Sequence, residues 1–185
     1  MAKSDKPAPS AKTAAQAIFD GQRLGLAVGL VEKDTDVMFS LGCQYLNGGH
    51  YEKAETIFQT CCTFDHLAGR FWLALGTVRQ ARKDFQGAVL AYSMVAEIGS
   101  NHPIAPICAS QCYMAMGFIS EAIDALDVAI EWAEMQDDAD QWADQIGHIQ
   151  TDLEHLLNAA QGQEETPSDS SGLHPQNREV QHDVR

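Results

Sequence analysis

Three alanines, Ala54, Ala88 and Ala122, lie 34 residues apart in this chain. Each occupies the same place in an apolar pattern that repeats from about residue 35 to residue 134. The other positions that coincide when the three blocks are aligned are Leu41, Leu75 and Ala109, then Gly42, Gly76 and Ser110, then Phe58, Tyr92 and Leu126, and then Cys61, Val95 and Ala129. Each block therefore indicates two helices that approach each other at small residues.

A period of 34 residues is typical of tetratricopeptide repeats, in which helix pairs stack into a curved solenoid. We therefore predict an all-α tetratricopeptide-repeat solenoid of three helix-pair repeats, with an N-terminal helix and a C-terminal capping helix. The repeats span about residues 35–68, 69–102 and 103–136. Such a stack has a concave face, and its function is to hold a partner there.

The solenoid is predicted to be a single domain over residues 14–160, with a flexible leader at 1–13 and a disordered tail at 161–185. Both ends are too polar to bury enough apolar surface to offset the entropy of ordering. A capping helix over about 137–160 is expected because apolar residues recur there at spacings of three and four. Those residues are Trp142, Ile146, Ile149, Leu153, Leu156 and Leu157.

A further helix is expected from about Thr13 to Glu32, although it contains Gly21, Gly25 and Gly29. Glycines four residues apart line one side of a helix and allow another helix to come close. That neighbour is either the first repeat of the same chain, which we favour, or a second subunit. A homodimer through the N-terminal helix is thus one of the expected partners.

The composition excludes several classes of partner. A formal net charge of -14 argues against a nucleic-acid surface, because nucleic-acid binding uses clustered Lys and Arg. No run of 18 apolar residues is present, so no membrane insertion is expected. The N-terminal residues also lack the apolar core of a secretory signal, and the predicted location is the cytoplasm.

The sequence offers little for catalysis or for a metal. It contains no nucleophile-elbow, phosphate-loop or His-Glu-x-x-His motif, and its seven histidines are scattered. We predict that the protein is not an enzyme and needs no cofactor. The five cysteines are expected to be reduced, and Cys108 and Cys112, with His102 nearby, fall short of the four ligands of a closed zinc site.

One charged residue falls in an internal row of the repeat. Arg79 occupies the position where the first and third blocks carry Tyr45 and Tyr113. An arginine there either finds a partner or extends its charged end to water.

The residues that helical geometry turns toward the concave face predict a partner-binding groove. They are mostly apolar, with a few amides and one guanidinium, which suits an extended peptide whose side chains enter small pockets. The predicted groove residues are Phe39, Cys43, Leu46, Asn47, Arg70, Leu73, Thr77, Gln80, Ile104, Ile107, Gln111 and Met114. The amides of Asn47, Gln80 and Gln111 would bond the peptide backbone. In the alternative interpretation, Phe39 and Leu46 pack on the N-terminal helix instead.

The groove differs from that of co-chaperones that capture an acidic C-terminal peptide. Those proteins place Lys and Asn on the concave face to bind the carboxylates. Here the corresponding places include Phe39, Leu73 and Ile107, so a carboxylate clamp is not expected, although Arg70 supplies one cation.

The chain also carries more specific segments. They are Phe64-Asp65-His66, then Arg70 to Gly76, then Arg79-Gln80, together with Phe39-Ser40-Leu41, Tyr51 to Ala54, Ala91-Tyr92-Ser93 and the spacing of Pro103, Pro106 and Cys112. In these residues the chain resembles the LcrH/SycD/IpgC family, the class II chaperones of bacterial type III secretion. The resemblance extends without gaps from about Val37 to Ala133. Phe39, Cys43 and Leu46 fall where this family places aromatic groove residues, and Cys43 and Leu46 depart from that pattern.

The resemblance implies a chaperone of the bacterial cytoplasm that binds hydrophobic, pore-forming translocator proteins before their secretion. Such a chaperone holds an extended translocator segment in its groove and prevents premature association and aggregation. Two other hypotheses stay open at this point. One is a repeat scaffold that assembles cytoplasmic complexes through folded surfaces, and the other is a metal-dependent or redox protein.

Overall fold

The computed structural model describes residue 16 and residues 22–137 and 139–164, the last five of these without their side chains. All regular secondary structure in this part of the chain is helical. The helices are α1 (Leu24–Ala27), α2 (Glu32–Asn47), α3 (Tyr51–Phe64), α4 (Gly69–Ala81), α5 (Phe85–Glu97), α6 (Ile104–Met116), α7 (Ile119–Glu134) and α8 (Asp140–Glu164). The three predicted helix pairs are α2 with α3, α4 with α5, and α6 with α7, and the all-α prediction is confirmed.

Small residues allow the two helices of each pair to come close. A Cβ atom added to Gly42 would lie 2.5 Å from the ring of Phe58, and one added to Gly76 would lie 2.4 Å from the ring of Tyr92. In the third pair Ser110 takes the same position, and its hydroxyl donates a hydrogen bond to the carbonyl of Ala122 at 2.7 Å. The repeated alanines 54, 88 and 122 are fully buried, so the 34-residue period marks the helix contacts as predicted.

The predicted N-terminal helix over residues 13–32 is not continuous where the structure describes it, because residue 16 and residues 24–27 are helical and residues 28–31 are not. The short helix α1 ends at Ala27, Gly29 adopts a φ of +88°, and Val31 is extended. A new helix then begins at Glu32, where the Asp34 carboxylate accepts the Val31 N–H at 2.9 Å. Glycine tolerates this left-handed conformation, which breaks the helix and starts the first repeat three residues earlier than predicted.

Gly25 packs within the same chain. It is buried, and a Cβ atom there would lie 3.1 Å from the carbonyl oxygen of Phe64, at the end of α3. This confirms the favoured intramolecular contact at Gly25. Gly21 and most of the predicted helix, together with the leader at 1–13 and residues 165–185 of the tail, lie outside the described residues.

One predicted seam residue does not lie in a seam. Leu75 and Ala109 are buried, but Leu41 is 43% exposed. Leu75 packs against α3, the second helix of the preceding repeat, through Ala54, Phe58 and the two adjacent cysteines. Because Leu41 belongs to the first repeat, no preceding helix pair covers it in the described part of the chain.

Arg79 has partners at its internal position. Its Nε donates to Glu55 at 3.1 Å, and its Nη1 donates to the carbonyl of Gly87 at 3.0 Å. The same Glu55 carboxylate also accepts Arg82. The arginine therefore connects α3, α4 and the start of α5, where the equivalent residues of the other repeats are tyrosines.

The capping helix α8 runs from Asp140 to Glu164, so the first residues of the predicted tail are helical. It buries Ile146, Ile149 and Leu153 against α6 and α7 and closes the last repeat. No described helix has the length and apolar character needed to cross a membrane.

Candidate functional site

The predicted groove runs along α2, α4 and α6, the first helices of the three repeats. Four of its predicted residues are exposed, namely Asn47, Arg70, Thr77 and Gln111. Seven are half-buried, as expected for pocket walls, namely Phe39, Cys43, Leu46, Leu73, Gln80, Ile104 and Met114. Ile107, by contrast, is only 2% exposed.

Ile107 is therefore not available to a partner in this structure. It packs in the core with Leu126 of α7 and with Ile146 and Ile149 of α8. The capping helix thus covers the third-repeat position where an open pocket was predicted. Ile104 and Met114 remain the accessible predicted residues of α6 beside Gln111.

An aromatic cluster forms the end of the groove at the first repeat. The ring of Phe39 lies 5.6 Å from that of Phe58 and 5.7 Å from that of Phe71. Among the described residues Phe39 therefore packs on α3 and α4, rather than on the N-terminal segment. Its half-buried ring leaves an aromatic surface that an apolar side chain of a partner can contact.

Arg70 closes one side of this cluster. Its guanidinium lies 5.6 Å from the Phe39 ring and 4.8 Å from the Phe71 ring, and it pairs with Asp36 at 2.5 Å. Because its charge already has a carboxylate partner and two aromatic faces, Arg70 is a poor candidate for binding a partner's carboxylate. This geometry agrees with the expectation that the groove is not a carboxylate clamp.

The middle of the groove is polar. The Gln80 side chain donates from Nε2 to Oε1 of Gln111 at 3.3 Å and accepts the Tyr92 hydroxyl at 2.8 Å. Thr77 directs its hydroxyl to the Leu73 carbonyl of its own helix. The two glutamines thus join α4 to α6 across the groove.

The cysteines are structural in character. Burial raises the pKa of the Cys43 and Cys108 thiols, that of Cys61 to about 11, and those of Cys62 and Cys112 to about 12. Such thiols stay protonated at neutral pH, and a protonated thiol is a poor nucleophile and metal ligand. Across the described residues, no three His, Cys, Asp or Glu side chains converge on a possible metal position.

Two residues that shape the groove were not predicted from the sequence. Asp36 holds Arg70, and Tyr92 orients Gln80. The repeat alignment contains a signal for the first, because Asp36 and Arg70 lie 34 residues apart at equivalent repeat positions. Tyr92 aligns with Phe58, so its ring was expected in the seam, but the hydroxyl contact with Gln80 was not.

The stacked helix pairs and the open face along their first helices define a helical-repeat protein of the tetratricopeptide class. The chain is 34% identical over 102 residues to the low calcium response locus protein H of Yersinia pestis, covering 55% of this chain and 61% of the relative. It matches the structure of PcrH, a Pseudomonas aeruginosa protein, solved with the chaperone-binding region of PopD. That match has a TM-score of 0.63 and 26% identity and covers 71% of this chain and 97% of the other.

A third match is the type III secretion chaperone SycD of Yersinia enterocolitica, solved with a peptide of the translocator YopD. Its TM-score is 0.59 at 27% identity, covering 73% of this chain and 98% of the other, and SycD is also known in an alternative dimer. The predicted resemblance is thus confirmed: the chain is similar in sequence and fold to translocator chaperones of type III secretion. It spans about three fifths of the length of the curated relative from Yersinia pestis. No family model matches it.

Proposed function

We propose that this protein is a chaperone of a bacterial type III secretion system that binds translocator proteins. An extended segment of the translocator lies along α2, α4 and α6, and the predicted groove residues other than the buried Ile107 contact it. The chaperone acts in the bacterial cytoplasm, before export, and prevents the client's premature association and aggregation.

The observation that carries this proposal is the open, mainly apolar face of the first helices. Phe39 offers an aromatic surface, Leu73 offers an aliphatic one, and the Gln80–Gln111 pair offers amide groups between them. Apolar pockets separated by hydrogen-bonding groups suit an extended peptide. Related chaperones solved with translocator segments support the same assignment of the partner.

The proposed activity is binding alone, without catalysis or a cofactor. A client segment in the groove is removed from the pool that can self-associate, and the stabilisation grows with the logarithm of free chaperone over its dissociation constant. A homodimer through the N-terminal region is part of the proposal, and light scattering with and without residues 1–33 tests it. If the full-length chain had the mass of a monomer, the dimer would be removed from the proposal.

The main test is co-expression with candidate hydrophobic secreted proteins from the same bacterium. We expect the wild type to raise their soluble fraction and to co-purify with one of them. Leu73→Glu should abolish this effect because it places a charge on a half-buried apolar surface, and Phe39→Ala should weaken it by removing the aromatic surface. Leu90→Glu is the matched control, since Leu90 is 62% exposed and lies on α5, away from the groove.

The proposal is wrong if no client is solubilised, or if Leu73→Glu acts no differently from Leu90→Glu while both fold. Binding of a folded partner, with no binding of its isolated extended segments, would instead support the scaffold hypothesis. Circular dichroism of each variant establishes that the helices are intact.

A further inference from the structure

The hydroxyl of Tyr92 lies beneath the polar centre of the groove. Tyr92 belongs to α5, a second helix of a repeat, and is 2% exposed. Its ring passes close to Gly76 of α4, where any side chain would collide with it. Its hydroxyl donates to Oε1 of Gln80 at 2.8 Å. The equivalent residues in the other repeats, Phe58 and Leu126, have no hydroxyl, so this contact belongs to the middle repeat alone.

In the structure this contact holds the Gln80 amide oxygen against Tyr92, whose hydroxyl also interacts with the side chains of Thr77 and Cys108. Burial strongly raises the pKa of Tyr92, so its hydroxyl stays protonated, and in the structure this hydroxyl donates to the Gln80 oxygen. The Gln80 oxygen is therefore turned inward, and its nitrogen is turned toward Gln111, whose oxygen accepts at 3.3 Å. Both amide oxygens are thus engaged within the groove wall.

The amide N–H groups of Gln80 and Gln111 are the part of this pair that is left to bind a partner. One N–H of Gln80 and both N–H groups of Gln111 have no partner among the described residues. Gln111 is exposed and Gln80 is half-buried, so a partner lying along the groove can reach both side chains. Unpaired amide N–H groups favour an acceptor oxygen and disfavour another donor.

We propose that Gln80 and Gln111 form a donor pair that binds one backbone carbonyl of the partner peptide, and that Tyr92 is the residue that orients this pair. This inference rests on the proposed function and names the chemical group that the middle of the groove binds, a backbone carbonyl. The apolar pockets on either side bind side chains, and the donor pair sets the register of the peptide backbone between them.

The test uses the shortest synthetic fragment of the co-purified translocator that binds the wild-type protein. A series of analogues replaces one backbone amide of this peptide at a time by an ester, whose carbonyl is a weaker acceptor. Affinities are measured by calorimetry for the wild type, Tyr92→Phe and Gln111→Glu. Tyr113→Phe is the matched control, since it removes a tyrosine hydroxyl from a residue outside the donor pair.

We expect one internal ester to weaken binding to the wild type by about five- to tenfold, the range of one ordinary hydrogen bond. Tyr92→Phe should weaken binding of the unmodified peptide by a similar factor and make that ester harmless, because the amide pair is no longer oriented. A merely structural role for Tyr92 would lower affinity without erasing the position-specific ester effect. Gln111→Glu should weaken binding further, since a carboxylate repels a carbonyl oxygen.

The inference is overturned if no ester substitution weakens binding to the wild type. The amide N–H groups would then bind a side-chain oxygen of the partner or no group of the partner at all. It is also overturned if Tyr92→Phe keeps both the affinity and the ester effect. These outcomes leave the proposed function intact, because the fragment still binds. Failure of every fragment to bind would contradict the extended-peptide mode itself, which the co-expression experiment tests separately.

Discussion

Replacing Gly76 by alanine should destabilise the protein, although alanine is the better helix former. The new Cβ atom would lie 2.4, 2.7 and 2.8 Å from three atoms of the Tyr92 ring. Real Cβ atoms do not approach other atoms so closely, so either the ring or helix α4 must shift. The ring is buried and its hydroxyl is bonded to Gln80, which leaves it little room to move.

The magnitude follows from two opposing terms. Overpacking a buried site costs about 1–3 kcal/mol, while replacing glycine by alanine inside a helix returns up to ~1 kcal/mol. The net expectation is a loss of about 1–2 kcal/mol in the free energy of unfolding. Gly147→Ala in α8 is the control, because a Cβ atom there meets nothing within 4 Å, and only the favourable helix term remains.

Urea denaturation followed by circular dichroism measures both variants. The wild type should lie between them, with Gly147→Ala more stable by up to ~1 kcal/mol and Gly76→Ala less stable. If Gly76→Ala were as stable as Gly147→Ala, the close approach of α4 and Tyr92 would not exist in solution. Small residues would then not be what sets the helix contacts of each repeat.

Two further predictions concern stability. Arg79→Ala should lower the free energy of unfolding by about 1–3 kcal/mol, because it removes a hydrogen bond to the largely buried Glu55 carboxylate. Arg23→Ala, in which the arginine of the ion pair is more exposed, should lower it by less than about 1 kcal/mol. Equal losses for the two variants in urea denaturation would contradict this difference. Stability should also fall as pH rises above about 9, because the pKa of Cys61 is raised to about 11 and that of Cys62 to about 12 in the folded state, so the unfolded chain loses these protons first. The double variant Cys61→Ala/Cys62→Ala should reduce this loss of stability at alkaline pH. If its free energy of unfolding fell with pH as steeply as that of the wild type, the two thiols would not be its cause.

The helix pairs were predictable because their cause is local. A glycine or serine on one helix and a large side chain 16 residues later are both visible in the sequence, and their 34-residue recurrence defines the stack. The break at Gly29 was less visible. Glycine is compatible with a weak helix as well as with a turn, and its left-handed conformation is adopted only because α2 begins at Glu32.

The burial of individual groove and seam residues depends on neighbours that the repeat pattern does not contain. Leu41 and Leu75 are equivalent in sequence, yet only Leu75 has a preceding helix pair to cover it among the described residues. Ile107 matches an open position of the repeat, but α8 packs over it. End effects of this kind distinguish terminal repeats from the central one, which has neighbours on both sides.

The central repeat is also where polar groups enter the groove wall, and this asymmetry bears on how a partner would be held. Toward the first repeat the surface is aromatic, and the Arg70 guanidinium beside it is already paired with Asp36. Toward the third repeat, α8 removes Ile107 from the surface. In the proposed mode of binding, affinity comes from apolar burial near Phe39 and Leu73, and the amides of Gln80 and Gln111 supply direction. The proposed donor pair would set a register that apolar contacts alone leave unspecified, because dispersion and burial are not directional.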